Sequence, residues 1–456
     1  MKTNKTLTDI LQVSFSNIVK FGTGFIISFV LPYMLSVDNY GYYREYILYL
    51  NYIFILGLGF SDGAYIKYGG KDLQKLDRKT IHNDHNFASI MQIIMFIIML
   101  SISIALNNPI LVFLSVASLF VNLKNYYDSI YNATGNFSLT AKSNIFSSII
   151  YIITLLLAVF VLKSESFHFY IILNIASYLY SVLILRYNFR RTFGFANGLD
   201  LKSAANTIRI GIFILIANMS ITLMGNAGAQ IINIYFPIES FAQFAFQNNV
   251  LNVILLVVHA VSSVFYNRIA QRSDSNANMF IKSIALLSGI YASLSFFIFA
   301  FIIKSILPKF VQSIDFLALT FLSIPFIILI KILIQNLYKT SKSEYQYFRD
   351  SILGVALSFA LALLAYALTG KIHYVAFSTP VSYILWYIYS IKVSFPELKS
   401  NKKELTVIVS YLFVFFVSAY LVKNLLLGMS LYILYLILLT YTYRAEIKSL
   451  LSKIKN

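Results

Sequence analysis

The sequence predicts an all-α integral membrane protein of about 14 transmembrane helices: two pseudo-symmetric six-helix bundles plus two C-terminal helices. Three observations predict it. The 456 residues are 59% hydrophobic and 12% charged, where a soluble domain carries roughly 25% charged residues. Runs of about 20 apolar residues recur along the whole chain, each long enough to cross a ~30 Å hydrocarbon layer. Stretches of the second half also echo the first at nearly constant offset.

The first apolar run, residues 10–35, follows a polar start with Lys2 and Lys5. It exceeds the roughly 7–15 residues of a signal-peptide core and lacks a small-x-small cleavage site, so it is expected to be retained. Further spans are expected at 41–60, 86–106, 110–131, 139–162 and 167–187. A charged loop at 61–85 separates the second from the third, and Asn107-Asn108-Pro109 separates the third from the fourth. The second half gives 210–235, 243–266, 281–303, 315–338, 351–368, 374–391, 405–422 and 425–443. The last two are short and joined at Lys423-Asn424, so twelve or thirteen spans would also fit. The expected organisation is an N-terminal bundle at 1–190, a basic linker at 191–209, a second bundle at 210–393, and two extra helices with a basic tail at 394–456.

Charge fixes the orientation. The net charge is +18, which in a soluble protein would suggest nucleic acid. With the N-terminus inside, alternate loops place 27 of the 36 Lys and Arg on the inner side and 6 on the outer. That asymmetry is the positive-inside pattern. It predicts cytoplasmic termini and accounts for most of the charge without a nucleic-acid partner. There is no cysteine, and the five histidines include only one close pair, His82 and His85, in a charged loop. No metal and no cofactor is expected. A G-x-x-x-x-G-K-[ST] loop is missing, and the outer loops are too short for a catalytic domain, so an enzyme is not expected.

The repeat is specific. Shifted by 201 residues, Asn17 falls on Asn218, Gly24 on Gly225, Asp38 on Glu239 and Tyr40 on Phe241. Shifted by 207, Lys124 falls on Lys331 and Tyr131 on Tyr338. Span one thus pairs with span seven, and span four with span ten.

The exit of span one, Leu31-Pro32-Tyr33-Met34-Leu35-Ser36-Val37-Asp38-Asn39-Tyr40-Gly41-Tyr42-Tyr43, and that of span four, Tyr131-Asn132-Ala133-Thr134-Gly135-Asn136, carry a family resemblance. The chain resembles the Wzx-type polysaccharide flippases, in the superfamily that also holds the MATE multidrug exporters and the lipid II flippases. It departs from the pattern in lacking a proline near the start of span seven, and in carrying His259 in span eight where a basic residue would be hoped for. The resemblance implies movement of an undecaprenyl-diphosphate-linked oligosaccharide, an O-antigen, lipopolysaccharide or capsule repeat unit, to the outer leaflet of a bacterial cytoplasmic (inner) membrane. It implies alternating access, contact with membrane lipids, and a polysaccharide polymerase and chain-length regulator as partners.

The residues suit such a cargo. A diphosphate needs cationic groups in a hydrated cavity. Lys20, Lys124, His259 and Lys331 all fall about 10–15 Å from the cytoplasmic ends of their spans at 1.5 Å per residue. They are the expected substrate-binding layer, with Arg44 at the outer end of span two. Lys124 and Asp128 stand at i,i+4 and could simply pair; Lys331 has Gln335 at that offset. Asp128, Asp62 and Glu45 are candidates for gating or ion coupling. Gly24, Gly225, Pro32 and Pro325 are candidate hinges. The membrane potential alone would favour outward movement of the diphosphate by about 2.3 kcal/mol per charge per 100 mV. Among the alternatives, a multidrug exporter would be expected to bury acids rather than lysines. A lipid II flippase shares the cationic cavity, and a membrane glycan polymerase would need a large outer loop.

Overall fold

In the computed structural model, residues 2–271, 275–340 and 344–444 are described. These residues form helices and short connections, with no strand among them. Two compact units divide at Thr222/Leu223.

The first unit holds α1 (Lys2–Met34), α2 in three pieces (Val37–Leu50, Ile53–Gly57, Phe60–Tyr68), α3 (Arg78–Ala105), α4 (Pro109–Ala133), α5 (Phe137–Phe160), α6 (Phe167–Phe193) and the start of α7 (Leu201–Tyr235). The second holds the rest of α7 and α8 (Ile238–Gln271). Next come α9 in two pieces (Ser275–Ala292, Ser295–Ile306) and α10 in four (Ser313–Phe321, Ile324–Leu329, Ile330–Ile334, Gln335–Thr340). The last four are α11 (Glu344–Thr369), α12 (Ile372–Tyr389 and Ser390–Ser394), α13 (Lys402–Phe416 and Val417–Leu421) and α14 (Leu425–Thr442). Among the described residues nine helices are long and apolar enough to cross a membrane, or up to 11 if each of two bent pairs is one span. The last two expected spans are separate helices.

Polar turn residues start the helices. Ser36 accepts the Asn39 N–H at 3.2 Å, Asp77 the Thr80 N–H at 2.9 Å, and Asn108 the Ile110 N–H at 2.9 Å, with Pro109 as first helical residue. Asn401 and Asn424 do the same for α13 and α14. Each cap satisfies an N–H that a helix start leaves without a partner.

In the first unit α4 is the central helix. Half of its most apolar window, 50%, is buried, against 22% for α3. The core around it is aromatic: Phe60, Tyr68, Tyr126, Tyr127, Tyr131 and Phe189 are all buried. The chain has 34 tyrosines. Packing claims many of them, because Tyr40, Tyr46, Tyr170, Tyr338, Tyr411 and Tyr432 are fully buried as well. A tyrosine fills apolar space and still carries a donor to a neighbouring helix.

α2 bends by 57° at Leu58-Gly59. Both residues have positive φ, +47° and +76°, a region cheap for glycine and costly for leucine. Beyond the bend the last piece of α2 lies backbone to backbone on α7. A Cβ on Gly63 would stand 2.0 Å from the Thr207 carbonyl oxygen, and one on Gly211 2.0 Å from that of Gly59. Gly59 and Gly63 form a G-x-x-x-G step, the small-residue face that lets helices approach closely.

In the second unit α13 and α14 are bonded to α9 and α10. The Tyr432 hydroxyl donates to the Ile290 carbonyl at 2.7 Å. Tyr411 donates to the Phe321 carbonyl at 2.8 Å, where α10 is interrupted. Lys282, which the sequence reading counted among inner-loop charges, is instead fully buried in α9. Its ammonium bonds the Leu398 carbonyl at 2.6 Å, the Ser400 hydroxyl at 2.9 Å and Glu404 at 2.7 Å.

Two outcomes are expected. Gly63→Ala and Gly211→Ala should each lower stability by about 1–3 kcal/mol through overpacking. Gly22→Ala, whose Cβ would meet nothing within 4 Å, should be neutral or stabilising by up to about 1 kcal/mol; thermal unfolding in detergent separates the two groups. Glu404→Ala should cost about 3–5 kcal/mol by stranding a buried ammonium, and joint replacement of Lys282 and Glu404 by methionine should cost less. A double variant weaker than the single would contradict that account.

Candidate functional site

In the second unit the notable element is α10. Its first piece ends at Phe321, and the remainder turns away by 51°. Pro325 lies in the first turn of the second piece, where a missing N–H costs nothing. Ser323 returns its hydroxyl to the Thr320 carbonyl. Residues Ile330–Ile334 then form a π-helical turn. Such a turn inserts extra backbone and displaces carbonyls from their usual partners. Two side chains compensate. The Ser262 hydroxyl of α8 donates to the Lys331 carbonyl at 2.7 Å. Asn336 donates to the Ile332 carbonyl at 2.9 Å and the Ser262 carbonyl at 3.0 Å.

Lys331 sits on this turn. Ile330, Ile332, Leu333 and Ile334 beside it are buried, while Lys331 is half-buried. Of the two residues the sequence placed first, Lys331 is the one whose surroundings are visible. The side chains of Lys20, in α1, and His259, in α8, lie outside the described residues.

In the first unit Lys124 forms an ion pair with Asp128 one turn along α4, so the i,i+4 geometry is realised. Arg44 and Glu45 are both half-buried in the first piece of α2. Asp62 is half-buried in the first turn of the last piece of α2, where a carboxylate complements the helix N-terminus. Of the candidate hinges, Pro325 stands at a bend. Gly24 and Pro32 are inside continuous α1. Gly225 is inside α7, where an added Cβ would come within 2.9 Å of the Tyr383 hydroxyl.

Three polar clusters escaped the sequence reading. Asp84 of α3 accepts the Lys67 ammonium at 2.7 Å and the Tyr68 hydroxyl at 2.5 Å, and Lys67 also reaches Ser203 of α7 at 2.9 Å. His85, next along α3, is buried and packs edge-on to Phe189 with ring centroids 4.5 Å apart, which makes the His82–His85 loop of the sequence reading part of a helix. Asp350 of α11 is fully buried and accepts Tyr338 at 2.7 Å, Ser394 at 2.8 Å, Tyr389 at 3.0 Å and Arg349 at 2.9 Å. Glu404 is held by Lys282, Tyr387 and Ser400. The only sequence signal for these was charge beside apolar runs, which a solvated loop shares.

The geometry has one chemical consequence. Asp84, Asp128, Asp350 and Glu404 each already have a cation or several donors. Lys331 is a half-buried lysine on the π-helical turn of a bent helix.

Comparison with protein-family models finds no match, nor does comparison with curated proteins. Solved structures do match. The lipid II flippase MurJ, in an inward closed conformation, superposes with a TM-score of 0.65 at 17% identity, over 97% of this chain and 100% of that one. An inward-facing multidrug resistance MATE transporter of the MOP superfamily gives 0.56 at 13% identity, over 88% and 98%. A MOP-superfamily transporter from Pyrococcus furiosus, whose binding pocket is described as of reverse polarity, gives 0.51 at 12% identity, over 86% and 96%. At these identities the likeness is one of fold, and the chain has the fold that these flippases and transporters share.

Proposed function

We propose that the chain is a flippase that carries an undecaprenyl-diphosphate-linked oligosaccharide repeat unit from the cytoplasmic to the outer leaflet by alternating access. Its lysines take the diphosphate. The observation that carries this reading is Lys331: a half-buried lysine on a π-helical turn, in a helix bent by 51°, flanked in sequence by buried apolar residues. Ionisable residues at membrane depth and interrupted helices are where transporters build their substrate sites. Lys20, ten residues into the first expected span, is the second proposed ligand, and Lys124, His259 and Arg44 are lesser ones. Asp128, Asp62 and Glu45 remain proposed gating or coupling groups. Gly24, Gly225, Pro32 and Pro325 remain the proposed hinges, with Pro325 favoured by its place at the bend.

Four of the acidic groups weigh against a cationic drug as cargo, with Asp62 and Glu45 kept for gating or coupling. Such a substrate would need available carboxylates, and Asp84, Asp128, Asp350 and Glu404 are bonded to cations or several donors within their own unit. Lipid II transport is the second reading. It is favoured by the likeness to MurJ, which covers all of that chain, and it would use the same cationic chemistry. We also propose the bacterial cytoplasmic membrane as location, with both termini inside. A polymerase and a chain-length regulator are the proposed partners.

In cells dependent on this chain for surface polysaccharide, Lys331→Ala should cut export at least about tenfold, the loss of one charge-assisted hydrogen bond to a phosphate. Lys331→Arg should retain most of it. Undiminished export by a Lys20→Ala/Lys331→Ala double variant present at normal level would reject the lysine site. Rescue of a lipid II transport defect, without any effect on surface polysaccharide, would select the second reading.

A further inference from the structure

A cavity of about 520 Å³ opens in the first unit where two membrane helices end. Gln74, Arg78, Asn188, Arg191 and Thr192 line it, and its wall holds no carboxylate. Arg78 is the first residue of α3 and Arg191 lies in the last turn of α6. The carboxylates close by in sequence are engaged locally. Asp77 accepts the Thr80 N–H at 2.9 Å, and Asp72 the Gln74 N–H at 3.0 Å. Asn188 gives its amide N–H to the Ile184 carbonyl at 2.9 Å and Thr192 its hydroxyl to the Asn188 carbonyl at 2.9 Å. The two exposed guanidiniums, the Gln74 amide and the second N–H of the Asn188 amide are the polar donors on its lining. Two guanidiniums on the lining of one cavity, with no carboxylate on it, suit the oxygens of a phosphate.

Position separates a lipid from a soluble anion. α3 and α6 are both long and apolar enough to span a membrane, so their charged ends lie at headgroup level. Beside the cavity Tyr187 is 66% exposed and Phe195 79% exposed. The Arg190 guanidinium stands 4.6 Å over the Phe195 ring. Exposed aromatic rings next to basic side chains are the composition of a membrane interface, and basic pockets between helices there take lipid headgroups.

We infer that this cavity binds the phosphate of an anionic phospholipid headgroup, at residues other than those proposed for the cargo. The bound lipid ties the start of α3 to the end of α6.

The test uses the purified full-length chain in detergent, titrated with dioleoylphosphatidylglycerol or dioleoylphosphatidylcholine and read by native mass spectrometry. The anionic lipid should be retained in preference to the zwitterionic one. Arg78→Ala/Arg191→Ala should weaken its retention about 30-fold, the combined effect of two basic residues at a lipid surface. Arg78→Gln/Arg191→Gln, which keeps polar side chains of related length, should do the same. Lys392→Ala/Lys399→Ala, which removes two exposed charges from the second unit, should leave it unchanged. Equal retention of the two lipids by the unaltered chain overturns the proposal without recourse to any variant. So does displacement of the anionic lipid by excess inorganic phosphate, which would mark a site for a free anion. Retention unaffected by either arginine pair, or weakened equally by the lysine pair, overturns it too.

Discussion

Hydrocarbon offers no hydrogen-bond partner, and most of this structure follows from that. Every backbone group at membrane depth must be satisfied by the protein itself. Regular helix does this without help. Each departure from regular helix then needs a side chain to repair it. Where α10 is interrupted, Tyr411 reaches from α13 to the Phe321 carbonyl. Where α10 widens, Ser262 reaches from α8 to the Lys331 carbonyl. Irregularity in one helix thus dictates the residue type on its neighbour, and Tyr and Ser recur because each carries a donor on a compact or apolar frame.

The same constraint governs charge. An ion inside a unit is tolerated when its own unit completes its shell, as Asp350 shows with two tyrosines, a serine and an arginine around one carboxylate. Lys282 and Glu404 use that chemistry to fix α13 to α9. Hydrophobic burial cannot provide such specificity here, since lipid tails are as apolar as leucine, so close helix contact falls to small residues and polar bonds. The glycine contact between α2 and α7 and the carboxylate clusters are two solutions to one problem.

Sequence reading therefore succeeded where hydropathy is a direct readout of the solvent. The spans at 110–131, 139–162 and 425–443 coincide with α4, α5 and α14 to within a few residues, and the capping turns at Ser36, Asn108 and Asn424 fall at helix starts. It fell short where protein replaces lipid as the surroundings. Residues 61–68 read as loop because Ser61, Asp62 and Gly63 are polar or small, and they are helical where Gly63 rests on Thr207. The seventh span starts at Leu201 rather than near 210 for the same reason. Lys282 read as loop charge because its partner, Glu404, lies more than a hundred residues away. Of the candidate site, the Lys124–Asp128 pair was legible from spacing alone. The π-helical turn under Lys331 was not, since nothing in Ile330-Lys331-Ile332-Leu333-Ile334 marks it.

That turn alters what the internal repeat means. Lys124 precedes Tyr131 by seven residues, and Lys331 precedes Tyr338 by the same seven. On uninterrupted helix this spacing brings lysine and tyrosine back to nearly one azimuth, as α4 does. A π-helical turn behaves as one extra residue in the winding, so residues on its two sides are offset by about 100° around the axis from their places on regular helix. The two halves therefore keep the lysine–tyrosine spacing on helices that wind differently. Lys124 pairs with Asp128, and the 207-residue offset puts Gln335 at the place of that aspartate. The same seven-residue spacing thus stands on a regular helix in one unit and, in the other, on a helix whose backbone needs Ser262 of α8 to complete it.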